Sequence, residues 1–426
     1  MLSVLRAAAV VAAISAVLPA HAERAYMAAV ESVRVDHLRT HIEVLASDAY
    51  EGRQAGRRGG RAAAEYLAGQ LKRLEIAGGA RGGGYFQPFY GGRRNVLAVI
   101  PGADPELRDE WIVVGAHYDH VGYGDRRNSF GPIGFIHNGA DDNASGVAAV
   151  LEFCEAARLT TFHRSVLIAF WDGEEEGMLG SKHWVANPTT PLASVAVSVN
   201  LDMVGRLREG RLEVGGTRTG YGLRRLASVA YEPDLWLDFS WQLEPNSDHW
   251  TFLSRGVPTL ILHTGLHDQY HRPSDDVETL NLEGIQTVGR YVVDLVGSLA
   301  DAPKRPRFRP EGRSETPALQ RTRQRPLPPL PPGAAPPRVG FSWREDHAAP
   351  RSVLITRVVP GSPAEAAGVR LMDRVLSIDG QPPAGPQGFQ ERLFARLEEP
   401  APEVALEVER RGRVERLIVR VGQASP

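Results

Sequence analysis

Three consecutive glutamates, Glu174-Glu175-Glu176, follow the apolar run Ser165-Val166-Leu167-Ile168-Ala169-Phe170. On a helix surface such a run is a solvated face. At the carboxyl end of a buried strand it is costly, because like charges repel and each carboxylate loses water. A bound cation offsets both effects. Open α/β sheets gather ligands at strand carboxyl ends, and further candidate ligands fall there. His117-Tyr118-Asp119 follows the run Trp111–Ala116, Asp202 ends Val195–Leu201, and His271 lies just past Pro258–Leu262. Asp141-Asp142 stands ahead of a helix pattern. Imidazole and carboxylate without thiolate suit Zn²⁺, with Mn²⁺ or Co²⁺ as alternatives. One catalytic metal needs about three protein ligands and an open position. The surplus here argues for two ions sharing a carboxylate and a water. Such a water is acidified and attacks a carbonyl, while a carboxylate outside the ligand set takes its proton and passes it to a leaving amine. Adjacent residues point differently, so one of Glu174 and Glu175 can bind metal while the other acts as base.

The elements that must position these groups are legible as periodicities. Val35–Leu45 has helical spacing at Val35, Leu38, Ile42 and Leu45, and Arg61–Glu75 reads as an amphipathic helix. Asn95–Ile100, Trp111–Ala116, Ser165–Phe170, Val195–Leu201 and Pro258–Leu262 read as strands. Helices are predicted from Asn143 to about Arg158, from Ser181 to Ala186, from Gly222 to Ala230 and from Leu282 to Leu299. Strands alternating with helices predict an α/β fold, a mainly parallel mixed sheet covered by helices.

The chain has 426 residues, a formal charge of −2 and a single cysteine, Cys154. That length predicts more than one domain, the balance gives no case for nucleic acid, and no intrachain disulfide is possible. Arg6, the apolar stretch Ala7–Leu18 and Ala20-His21-Ala22 read as an export signal over residues 1–22, which predicts a periplasmic or secreted protein without a transmembrane anchor after cleavage. The α/β unit then spans 23–300. Residues 301–337, rich in proline and arginine, read as an extended linker. Order resumes as a small α+β module over 338–424.

His117-x-Asp119, Gly139-Ala140-Asp141-Asp142-Asn143-Ala144-Ser145-Gly146, Glu174-Glu175, Asn200-Leu201-Asp202-Met203-Val204-Gly205 and Tyr270-His271-x-Pro273-Ser274-Asp275 occur in this order. Together they resemble the zinc-dependent exopeptidases of the bacterial leucyl aminopeptidase and aminopeptidase Y type. The resemblance implies two Zn²⁺ per chain, one held by His117, Asp141 and Asp202 and the other by Asp141, Glu175 and His271, with Asp141 bridging. It implies Glu174 as general base and acid, and Asp119 orienting the His117 ring. It also implies a cis peptide between Asp141 and Asp142. Ser247-Asp248-His249 and Phe252 match a further motif of that family and read as scaffold near the site. Arg206 and Tyr270 are candidate substrate contacts. The implied function is removal of N-terminal residues from peptides. Glutaminyl cyclases and carboxypeptidases of the same fold, or a non-catalytic peptide-binding protein, are the alternatives. The second module resembles a PDZ domain, with Arg338-Val339-Gly340-Phe341 at the position of the carboxylate-binding loop. That implies capture of a protein C-terminus by strand addition at the groove.

Overall fold

The computed structural model describes residues 20–228, 235–334, 337–400 and 402–421. Nine strands build the larger sheet: β1 (Ala77–Gly78), β2 (Phe86–Phe89), β3 (Arg93–Ile100), β4 (Trp111–His117), β5 (Ser165–Trp171), β6 (Val195–Leu201), β7 (Arg211–Gly215), β8 (Trp236–Ser240) and β9 (Thr259–His263). The order is β1-β3-β5-β4-β6-β9-β7-β8, with β2 beside β3. The inner run β5-β4-β6-β9 is parallel, and β3 and β7 join it antiparallel on either side. Every residue of β5 and of β6 is buried. Strands covered on both faces favour apolar side chains at nearly every position, which is why these segments read as near-continuous hydrophobic runs.

Helices supply the two covers. Val35–Leu45, Gly146–Ala156 and Leu282–Asp301 close one face around Leu38, Ile42, Val150, Phe153, Ile285 and Val292. On the other face Trp171, Trp184 and Phe252 form a tilted aromatic cluster with ring centroids 5.6–6.1 Å apart. Cys154 is a buried thiol within the first cover.

A second sheet is antiparallel throughout, ordered β10 (Phe341–Glu345), β11 (Val353–Val358), β12 (Arg374–Ile378), β13 (Glu403–Arg410) and β14 (Arg413–Arg420). The helix Gly385–Leu397 packs on it through Phe389, Leu393 and Leu397. This module has the α+β character expected of it, and β10 begins at Phe341, the last residue of the expected loop.

One expectation differs from the structure, and two others fall partly outside the described residues. Part of the proline-rich segment is docked on the larger unit: Arg309 N–H donates to Thr219 O at 2.7 Å, and the Arg309 guanidinium meets Glu315 at 2.8 Å. Its composition signals a solvated chain, but its arginine and glutamate side chains find buried partners. A helix, Ala20–Glu31, also runs through the expected cleavage point, while residues 1–19 of the export signal lie outside the described residues. The end of the helix expected at Gly222–Ala230 lies outside them too; what is described is Leu223–Leu226. Among the described residues, no helix is long and apolar enough to cross a membrane.

Candidate metal centre

His117 is the last residue of β4, Glu174 and Glu175 follow β5, and Asp202 follows β6. The parallel register therefore delivers them to one edge. There, three side chains meet: His117 Nε2 stands 3.3 Å from Asp142 Oδ1 and 3.4 Å from Asp202 Oδ1. A second group lies alongside. His271 Nε2 stands 3.1 Å from Asp142 Oδ2 and 3.1 Å from Glu175 Oε2. Ligand atoms about 2.1 Å from an ion in tetrahedral array are about 3.4 Å apart, so both groups have the spacing of ligand sets. Asp142 gives one oxygen to each group.

The shared carboxylate is thus Asp142, and the expected Asp141 is one residue off. Asp141 faces the opposite way: its Oδ1 accepts from Gly205 N–H and Ser145 Oγ–H, and its Oδ2 is 3.1 Å from His267 Nε2. The turn decides this. Asp275 Oδ2 accepts both the Asp141 and the Asp142 N–H at 3.0 Å, fixing the backbone so that only the second aspartate enters the cleft. The cis peptide falls correspondingly at Asp142–Asn143.

The supporting contacts are specific. Asp119 takes the Glu174 and Glu175 N–H groups on its two carboxylate oxygens, at 3.0 and 3.3 Å. His117 Nδ1 lies 3.1 Å from the Asp119 main-chain carbonyl and 3.8 Å from its carboxylate, so the ring is oriented mainly through the backbone. Ser247 donates to Asp202 Oδ2 and accepts from Asn200, which gives the Ser247-Asp248-His249 segment its scaffold role. His120 Nδ1 is 2.9 Å from Glu175 Oε1, leaving the other oxygen for His271. Arg53 is fully buried and donates to the carbonyls of Leu45, Tyr118, Asn138 and Gly139, pinning the β4 exit loop to the Asp142 turn.

His120 and Arg53 were missed in the sequence. His120 stands one residue beyond Asp119, and that proximity was an available signal. Arg53 sits in an ordinary polar loop and carried none.

Buried carboxylates dominate the electrostatics of the cleft. Burial pushes the Glu174 carboxyl well above its usual range, and the neighbouring His117 offsets this only in part. Burial pulls His117 down, but Asp202 and Asp142 outweigh it and hold the imidazole well above normal. His271 Nε2 and His120 Nε2 are buried without a hydrogen-bond partner among the described residues. Unsatisfied buried imidazole nitrogens beside clustered carboxylates fit a site for divalent metal ions.

Tyr270 stacks on His271 with ring centroids 3.9 Å apart, and it lines a cavity of about 480 Å³ with Phe130, Leu266, His267, Asp268 and Arg272. Arg206 does not line that cavity; its guanidinium is held by Asp275 and Thr279.

This topology, with its motif segments converging on one crevice, is that of the zinc-exopeptidase fold. Residues 95–296 match Peptidase family M28 and residues 354–410 match the PDZ domain, so the chain carries an M28 peptidase region followed by a PDZ domain. It is 27% identical over 209 residues to aminopeptidase YwaD of Bacillus subtilis, covering 46% of this chain and 42% of that one. It is 30% identical over 174 residues to leupeptin-inactivating enzyme 1 of Streptomyces exfoliatus, covering 40% and 35%. The chain spans less than half the length of these curated relatives. The fold is shared with the LapA aminopeptidase of Legionella pneumophila (TM-score 0.53, 21% identity, 66% of this chain and 76% of that one). It is also shared with a Zn-dependent exopeptidase of Parabacteroides distasonis (TM-score 0.51, 21% identity, 62% and 98%).

Proposed function

We propose that this chain is an exported aminopeptidase that removes N-terminal residues from peptides at a pair of zinc ions. The observation that carries the reading is the division of the Asp142 carboxylate between two ligand-spaced groups. His117, Asp142 and Asp202 would hold one ion; Asp142, Glu175 and His271 would hold the other. When bound, such ions polarise a carbonyl and acidify a water.

The chain's own residues do the rest. Glu174 belongs to neither group, although its neighbour Glu175 does. Desolvation raises the basicity of its carboxylate, which suits a group that takes a proton from water and returns it to a departing amine. Asp119 holds the Glu174 main chain, so the base is positioned by the same loop that presents His117. Tyr270 and the cavity beside His271 offer space for the substrate. The export signal of residues 1–22 supports action outside the cytoplasm. β10 is an edge strand that begins at Phe341, the last residue of Val339-Gly340-Phe341, which supports a peptide C-terminus as the ligand of the PDZ groove.

The test is Glu174→Gln, assayed on amino-acyl anilides with a free amine. Turnover should fall by roughly 100-fold or more while zinc stays near two per chain. A variant that keeps full turnover would remove Glu174 from the chemistry. Inactivity of the wild-type chain on free-amine substrates, with activity on C-terminally exposed peptides, would replace the reading with a carboxypeptidase.

A further inference from the structure

Far from the cleft's ligand groups, three side chains meet between the helices Val35–Leu45 and Gly146–Ala156. His37 Nδ1 stands 3.4 Å from Glu152 Oε1 and 3.3 Å from Glu155 Oε2. Glu152 and Glu155 are three apart on one helix and so share a face. His37 comes from the first turn of the other helix.

An ordinary ion pair does not account for this arrangement. Charge-assisted N–H···O bonds run about 2.7–2.9 Å, and a single Nδ1–H cannot point at two oxygens. Glu152 is 1% exposed, and its Oε1 has no hydrogen-bond partner among the described residues. Its other oxygen accepts from Arg34 N–H at 2.8 Å. The Arg34 guanidinium is turned away onto Asp36 at 2.9 Å. A buried carboxylate oxygen without a donor is costly. The separations, by contrast, match tetrahedral ligands about 3.4 Å apart around an ion at about 2.1 Å. His37 and Glu155 are each about a third exposed, so the site opens to solvent, which leaves a route of entry and a position for water.

We propose that His37, Glu152 and Glu155 form a second, structural site for a divalent ion of the zinc class, separate from the catalytic cleft. One imidazole with two carboxylates selects Zn²⁺ or Mn²⁺ over Ca²⁺, which takes oxygen ligands in larger number. Its action is to staple the two helices. The helix Gly146–Ala156 begins directly after the turn that carries Asp142, so the staple anchors the far part of the element on which the shared carboxylate depends.

The experiment uses the full chain, stripped with chelator and re-equilibrated with Zn²⁺ alone at buffered micromolar free metal. Wild type should bind one zinc more than His37→Ala, and one more than Glu155→Gln. Both variants should keep wild-type turnover. Added Zn²⁺ should raise the melting temperature of wild type several degrees further than that of either variant. Equal zinc counts in wild type and both variants would overturn the site, as would an extra equivalent appearing only at millimolar metal. Because the count is read as a difference, its failure is separate from any failure of the catalytic assignment.

Discussion

Two regions of this molecule bury carboxylates densely, and they balance them in opposite ways. Where the peptidase unit, the proline-rich segment and the PDZ module meet, each buried acid has an arginine. Arg218 pairs with Glu315 and, at 2.6 Å, with Asp346; Arg374 also meets Asp346 at 2.6 Å; Arg224 meets Glu409 at 2.7 Å. Arg218 further stacks over Trp241 at 3.6 Å. In the cleft, Asp119, Asp142, Glu174, Glu175 and Asp202 face histidines and one another. The buried guanidinium of Arg53 nearby gives its protons to main-chain carbonyls. A network in which every buried acid is paired with a guanidinium fixes geometry. An unsaturated one of the same density asks for cations that the polypeptide does not supply.

The sharpest way to break the comparison is at neighbouring aspartates. Asp142→Asn should empty the cleft of both metals and abolish hydrolysis, a loss of several orders of magnitude. Asp141→Asn, whose carboxylate faces Arg206 and His267, should retain metal in elemental analysis and lose stability instead. If Asp141→Asn lost both ions and Asp142→Asn kept them, the assignment of the shared carboxylate would be reversed.

Next in size is the junction. Arg218→Met takes one guanidinium from both Asp346 and Glu315 in a buried setting, leaving them Arg374 and Arg309 as remaining partners. Removing one partner of a buried pair costs about 3–5 kcal/mol, and denaturant titration should read a loss of that order with little change in metal content. Cutting the chain after Asp301 removes the partners of Arg218 and Arg224 altogether, so the truncated protein should be less stable than the full chain even where small-peptide turnover persists. A truncation as stable as the full chain would mean that the junction contributes nothing.

The sequence disclosed one of these regions far better than the other, for a physical reason. Parallel strands buried on both faces must be continuously apolar, so β4, β5, β6 and β9 and the polar residues at their ends stand out. Which of Asp141 and Asp142 enters the cleft does not, because that depends on Asp275 gripping the turn from more than a hundred residues away. β7 and β8, partly buried and only five residues each, leave too short a pattern to recognise. The junction was invisible because its arginines look like any solvated surface until partners distant in the chain converge on them. The same blindness turned the segment after Asp301 into a free linker, when Arg309 and Glu315 in fact lie buried against Arg218.

The smallest expected effect concerns pH. Burial alone would raise Asp346, but Arg374 and Arg218 outweigh it and hold the carboxyl well below its usual range; Glu409 is likewise lowered by Arg224 against its burial. A carboxyl depressed in the folded state contributes stability that is present above its unfolded pKa, about 4, and is lost as pH falls below it. Unfolding free energy should therefore be flat on this account from pH 7 to about 5 and drop on further acidification. In Arg218→Met the Asp346 carboxyl loses one of the charges that depress it, so the variant should show a shallower drop. The gap between variant and wild type should narrow toward pH 3. A gap that stays constant across that range would mean that the arginine acts through its stacking on Trp241 rather than through its charge.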